Sequence, residues 1–320
     1  MNDPGLIVVA LGGNAISLPE QQGNVDEQFE NSRATARQLA DLVEAGYRLV
    51  VTHGNGPQIG NFLIRNEAAR DAIYPLPMEV AVAHVQGGMG FMIGQTLGNE
   101  LRRRGRDQTV TTIVTTVLVD GDDAAFQTPT KPIGRVYIRD QLEHVPDRAH
   151  WTFKEIKPGH FRRVVPSPLP KRILEIRSIR RAVNDGEIVV ACGGGGIPVI
   201  RDDQGDDRGT AAVIDKDLAS ALLAVELGAD AILFLTGVDS VRLDFGGPTE
   251  RVVERMTVSE ATGWLGEGQF PPGSMGPKVQ GAIDFLSADS RNHSIAIIGP
   301  LTRAADAMTG RVGTRIVRDE

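Results

Sequence analysis

The chain is 320 residues long, with 34 Lys plus Arg against 41 Asp plus Glu, a net charge of −7 and only 5% aromatic residues. That length suits one large α/β domain or two smaller ones. An acidic, aromatic-poor chain with no basic run beyond residues 102–104 excludes nucleic acid as the main partner, and apolar stretches of about six residues fall far short of the roughly 20 that span a bilayer.

The first apolar run, Leu6–Leu11, reads as a strand. The residues before it, 1–4, lack the charged start and apolar core of a signal peptide. With one cysteine, Cys192, no internal disulfide can form and a cytoplasmic location is expected. Residues 27–45 carry Phe29, Ala36, Leu39, Ala40 and Val43 at helical spacing, closed by Gly46. A second strand follows at 48–52. Residues 86–105 read as a helix bearing Gly87, Gly88, Gly90 and Gly94, small enough either for tight packing on its own sheet or for a subunit interface. Residues 110–119 read as one strand.

From 121 to 170 the rhythm breaks into a stretch rich in Pro, Asp, Arg and His. Trp151, Phe153 and Phe161 mark it as a small inserted subdomain or lid rather than a disordered linker. Beyond it, 171–185 and 217–227 read as helices ending at Gly186 and Gly228. Strands are expected at 187–191, 231–235 and 294–298. Residues 201–208 form an exposed hairpin or loop, and Thr257 with Glu260 has capping-box spacing. Most strands are continuous apolar runs, the pattern of a mainly parallel sheet buried on both faces. The alternation predicts an α/β fold, a three-layer αβα sandwich with an open sheet.

Three glycine-rich turns follow predicted strands: Gly12-Gly13-Asn14, Gly54-Asn55-Gly56 and the run Gly193-Gly194-Gly195-Gly196 after Cys192. Such turns at strand ends let backbone N–H groups and helix N-termini face an anion, in the crevice where open α/β sheets bind ligands. No G-x-x-x-x-G-K-[ST] or G-x-G-x-x-G spacing is present, which disfavours P-loop enzymes and dinucleotide-binding dehydrogenases.

The cations are 28 arginines and six lysines. A chain that prefers arginine this strongly keeps lysine where a compact, flexible ammonium is needed. Lys216 and Lys278 fall at predicted helix starts, where the macrodipole disfavours a cation unless an anion sits between. Lys131 opens the insert, and Lys154, Lys157 and Lys171 read as surface residues. Backbone donors, lysines and a magnesium ion are the inventory of phosphoryl transfer. Asp215 and Asp217 flank Lys216 and are placed to orient it or a magnesium-bound water. Histidines 53, 84, 144, 150, 160 and 293 show no transition-metal spacing. His53, beside a glycine turn, suits ligand contact and a structural hydrogen bond equally, and Cys192 reads as a packing residue.

At these residues the chain resembles the carbamate kinase family of the amino-acid kinase superfamily. The matching pieces lie around residues 9–15, 53–58, 129–134, 164–168, 192–198, 213–217, 235–239 and 272–278. The resemblance implies a dimeric αβα sandwich that transfers phosphate reversibly between ATP and carbamate, with magnesium held mainly by the nucleotide phosphates and no directly assigned protein ligand. It also implies metabolic flow toward ATP, downstream of arginine or ureide breakdown. It implies a single domain over 1–320, with an acceptor-binding lobe over about 1–190, a nucleotide-binding lobe over about 191–320 and a lid at 121–170. Carried over by motif, Gly12, Gly13, Asn14, Gly54, Asn55 and Gly56 hold carbamate and the transferring phosphoryl group. Lys131, Lys216 and Lys278 neutralise phosphates, and Asp217 holds the lysines. Gly194, Gly195, Thr236, Gly237, Val238, Asp239 and Met275 border the nucleotide. The chain departs from the family pattern at Ala211, where a glutamate is usual, at His160-Phe161 and at Glu79. These departures keep two alternatives open: a paralogue using another small carboxylate or phosphate, and a nucleotide- or carbamoyl-phosphate-binding sensor.

Overall fold

A computed structural model describes residues 5–18, 20–145, 148, 151–288 and 293–319, the side chain of Asn14 excepted. Residues 1–4 and His150 lie outside the described residues. The frame is an eight-stranded sheet in the order β15 (Arg255–Thr257), β17 (Thr314–Val317), β16 (Ile295–Pro300), β12 (Ala231–Thr236), β1 (Leu6–Leu11), β2 (Arg48–His53), β9 (Ile188–Val190) and β3 (Val110–Thr112). All neighbours run parallel except β16 and β17.

Every residue of β1 is buried, and its side chains divide by parity. Val8 and Ala10 enter a core with helices α5 (Ile176–Asn184), α6 (Lys216–Leu227), α7 (Val258–Gly266) and α8 (Met275–Ala288). Ile7, Val9 and Leu11 enter the opposite core with α1 (Val25–Glu44), α2 (Gly56–Ala68), α3 (Met78–Arg103) and α9 (Ala304–Met308). Alternate residues therefore supply two apolar layers, which is why the strand reads as a continuous run. The three-layer αβα sandwich follows.

Two expectations change in detail, and a third is narrowed to one of its two forms. Residues 110–119 are two strands in two sheets. After β3 the chain leaves the main sheet at Thr115, whose N–H and C=O are both bonded by the Gln86 side chain at 2.9 and 3.1 Å. It resumes as β4 (Thr116–Val119) in a four-stranded sheet with β8 (Pro170–Ile173), β10 (Ile197–Arg201) and β11 (Asp207–Gly209). Residues 171–185 begin as β8 and become helical only in α5. Residues 201–208 make the β10–β11 hairpin turn, held by Arg201 on Asp207 and Arg208 on Asp202.

The insert is more regular than its sequence suggests. It forms an antiparallel sheet of β5 (Lys131–Ile138), β7 (His160–Val165) and β6 (Thr152–Lys157), with a short helix α4 (Arg139–Leu142). Tyr137, Leu142 and Val145 form a small separate core against Trp151, Phe153 and Phe161. Arg163 lies 4.0 Å over the Trp151 ring and Arg148 5.1 Å over Phe153. A last hairpin, β13 (Val241–Leu243) and β14 (Arg251–Val253), lies beyond β12.

Candidate active site

The carboxyl ends of β1, β2 and β12 place the first two glycine turns side by side. Gly12 donates its N–H to Leu235 O at 3.0 Å, and Gly54 donates to Leu11 O at 3.1 Å. A Cβ on Gly54 would stand 3.4 Å from Lys216 Cε and 3.5 Å from Gly13 N. The β2 turn, the β1 turn and the lysine thus converge to within van der Waals contact of one another. Asn14 continues the 3-10 turn Gly13–Ala15. Helix α2, which the sequence reading missed, starts directly at Gly56, with Asn55 as its N-cap. No side chain caps it, and Pro57 occupies its first turn. Its free N–H groups and positive dipole end open on an exposed Gly56, as an anion site requires.

Helix α6 contributes Lys216 and Asp217 from its first turn. Asp215 caps it, accepting from Asp217 N at 2.9 Å. The Asp217 carboxylate then takes two ammonium groups, Lys216 on Oδ1 and Lys278 on Oδ2, the latter at 2.9 Å. Lys278 also donates to Ser274 O at 3.3 Å. It reaches Asp217 because α8 packs closely on α6: a Cβ on Gly281 would stand 3.0 Å from Asp217 O. Lys131 arrives from the insert and bonds Asp215 Oδ2 at 2.6 Å. That partner was not assigned to it from the sequence. Lys154, Lys157 and Lys171 are exposed.

Electrostatics favour an added anion. Three ammonium groups meet two carboxylates, so the cluster carries a positive charge in excess. Burial, reinforced by Lys278, pushes Lys216 below the ordinary lysine range against the pull of Asp217. Burial alone would raise Asp217, but Lys216 and Lys278 outweigh it and hold its carboxyl below the usual range. A phosphate drawn to these ammonium groups would relieve the repulsion between the two lysines.

Asn55 is 4% exposed, and its Nδ2 is buried without a hydrogen-bond partner. A buried orphan donor is costly and marks a place where an acceptor belongs. Behind it runs the third glycine turn. Cys192 and Gly194 both have positive φ, at 50 and 66°, and Gly193, Gly194 and Gly195 are fully enclosed. The space left by their missing Cβ atoms is filled by protein: His53 at Gly193, Asn55 Nδ2 at Gly194, and Ile214 O at Gly195. Gly194 and Gly195 therefore back the site from below. Nothing in their sequence distinguishes such a support from a turn that faces ligand.

His53 is also a support. It is buried, it packs on the same turn, and burial lowers its pKa to about 4, so the ring is neutral. Burial raises the Cys192 thiol well above its ordinary range, which suits a packing residue. Thr236 is half-buried at the end of β12, with Gly237, Val238 and Asp239 exposed beyond it. Val238 and Met275 line a cavity of about 150 Å³ together with Phe245, Gln269 and Phe270, residues the sequence reading did not single out. Of the departures from the family pattern, Glu79 packs on Gly209, and Ala211 is exposed.

An αβα sandwich with lysines and free helix donors at its strand ends belongs to the class that binds and transfers phosphoryl groups. Residues 5–299 match the model of the amino acid kinase family, and the chain belongs to that family. It is 44% identical to the carbamate kinase of Pyrococcus horikoshii over 98% of this chain and 99% of that one. It is 43% identical to that of Clostridium perfringens, with the same coverage. The solved structure of Giardia lamblia carbamate kinase bound to AMP-PNP superposes with a TM-score of 0.92 at 37% identity, covering all of both chains.

Proposed function

We propose that this chain acts as a carbamate kinase, moving a phosphoryl group reversibly between carbamoyl phosphate and ADP. The observation that carries this reading is Asp217 holding Lys216 and Lys278 together, beside the Gly13 and Gly54 turns and the uncapped N-terminus of α2. In the ATP-forming direction a terminal ADP oxygen attacks phosphorus. The bond from phosphorus to the carbamate oxygen breaks, carbamate leaves as an anion, and no proton need move. Lys216 and Lys278 neutralise charge on the transferring group. Lys131 approaches from the insert, and Asn55 Nδ2 with the α2 N-terminus holds the acceptor side.

The supporting geometry suggests a division of labour. Residues 1–190 supply the acceptor turns, 191–320 supply Lys216, Lys278 and the nucleotide cavity, and 121–170 close over them as a lid. Gly194 and Gly195 serve the site through Asn55 and Ile214. The site carboxylates, Asp215 and Asp217, already hold lysines, so magnesium fits best on the nucleotide phosphates. When bound, it spreads phosphate charge. The unpaired edge of β3 and the 61% exposed Phe91 on α3 suit a second copy of the chain, giving a homodimer. We place the reaction in the cytoplasm, in the service of arginine or ureide breakdown.

The test is ATP formation from ADP and carbamoyl phosphate with magnesium, run beside acetyl phosphate. Turnover with carbamoyl phosphate well above acetyl phosphate is expected. Nucleotide binding without ATP formation would leave a sensor, and preference for another acyl phosphate would move the acceptor assignment to a paralogue.

A further inference from the structure

Among the described residues, two non-glycine residues have a left-handed φ, Cys192 at 50° and Asp244 at 51°. The first belongs to the buried support loop. The second sits in the exposed turn between β13 and β14 and is held on all sides. Its N–H donates to Gln269 Oε1 at 2.8 Å, and Gln269 Nε2 donates back to Oδ1 at 3.0 Å. Thr249 Oγ1 donates to Oδ2 at 3.0 Å, and Gly247 N–H donates to the Asp244 carbonyl at 2.8 Å. Gln269 follows α7, so the clasp ties the hairpin turn to a separate segment.

The residue this clasp presents is Phe245, 71% exposed, one wall of the cavity that also includes Val238, Phe270 and Met275. Gln269 lines the same cavity, but its amide is taken up by Asp244, and Arg242 is turned to Glu250. The space left is bounded chiefly by apolar surface. Met275 is three residues before Lys278, about 4.5 Å along the axis of α8. A ligand with phosphates at Lys278 therefore has its opposite end near this cavity.

We propose that Asp244 is a positioning residue for the nucleotide. Its left-handed backbone and doubly bonded carboxylate set Phe245 as an aromatic wall against which the base stacks. Base recognition here then rests on stacking and shape more than on side-chain hydrogen bonds. The inference rests on the nucleotide-binding reading above. Asparagine can replace aspartate here, because it also tolerates the left-handed region and keeps the acceptor for Gln269. Alanine provides neither.

The experiment compares wild type, Phe245→Ala, Asp244→Ala and Asp244→Asn. It measures KM for ADP at saturating carbamoyl phosphate, and calorimetric affinities for ADP and for inorganic tripolyphosphate, which has no base. Phe245→Ala is expected to weaken ADP about 5- to 150-fold, the range for losing one base–aromatic stack. Asp244→Ala should weaken it several-fold and Asp244→Asn less than about twofold, in keeping with a side chain that retains the αL turn. Tripolyphosphate affinity should stay constant in all three. Unchanged ADP binding in Phe245→Ala or Asp244→Ala would overturn the proposal. So would an equal loss of tripolyphosphate, or an Asp244→Asn as damaged as the alanine. A wild type that binds ADP but forms no ATP would refute the kinase reading alone, since the calorimetric comparison still decides the role of Asp244.

Discussion

Lys278–Asp217 joins two helices laid on the main sheet, with side chains only 10% and 6% exposed, whereas Lys131–Asp215 joins the inserted sheet to the head of α6 at 30% and 19%. The inner pair is held by packing: α8 cannot shift without lifting Gly281 off Asp217. The outer lysine bonds Asp215, and its strand belongs to a sheet that owns a small aromatic core. In the proposed reaction the inner ammonium groups would thus be fixed by the packed helices, and Lys131 would be supplied by a separate element.

If that contrast is right, the largest effect belongs to the inner layer. Lys278→Ala should lower kcat about 10³-fold, the loss typical of one transition-state donor, with little change in thermal midpoint because Lys216 still neutralises Asp217. Full activity in this variant would remove the role given to Lys278.

The buried support beneath the site makes the next prediction. His53 titrates at about 4 when folded against 6.5 in the reference state, so between these values the unfolded chain holds more protons. Its contribution is complete above pH 6.5 and is lost as pH falls toward 4. It amounts to at most about 3.5 kcal/mol. His53→Gln should flatten the stability profile in that window, read by denaturant unfolding at each pH, and an unchanged slope would reject a neutral buried ring.

Lys131→Ala should separate rate from stability. We expect kcat to fall about 10- to 100-fold, while the half-exposed pair contributes less than about 1 kcal/mol to folding. A melting loss as large as the rate loss would make Lys131 structural. Smallest of all, Arg163→Ala removes the contact over Trp151, worth about 0.5–1 kcal/mol. Amide exchange should quicken in β5, β6 and β7 and stay unchanged in β1 and β12. Uniform quickening would mean that the insert has no stability of its own.

Much of this site was legible in the residues because it is written in rare types. Six lysines among 34 cations stand out, and Lys131, Lys216 and Lys278, the three singled out among them, are the three that meet Asp215 and Asp217. The βαβ rhythm was legible too, since strands buried on both faces leave continuous apolar runs. What was hidden depends on partners distant in sequence. Residues 110–119 look like one strand because the side chain that ends β3, Gln86, lies outside them. The inserted sheet is half-exposed and bulged at residues 133–136, so its alternation is broken. Gly194 and Gly195 carry the signature of a ligand turn, yet Asn55 and Ile214 fill their space, and composition cannot report what lies across a glycine.

Strand β1 has a consequence for how the chain comes into being. It is the first strand of the sheet in chain order and lies near its centre, with β2 on one side and β12 on the other. The bond from Leu6 N–H to Asp230 that anchors its start spans 224 residues. As the polypeptide emerges, β1 can pair early with β2, but its other edge stays open until β12 has been made. Contacts so remote in sequence slow folding and prolong the exposure of an apolar edge. The strand whose end carries Gly12 and Gly13 is therefore the one that waits longest for its neighbour, and the proposed site is complete only once Lys278 has been delivered.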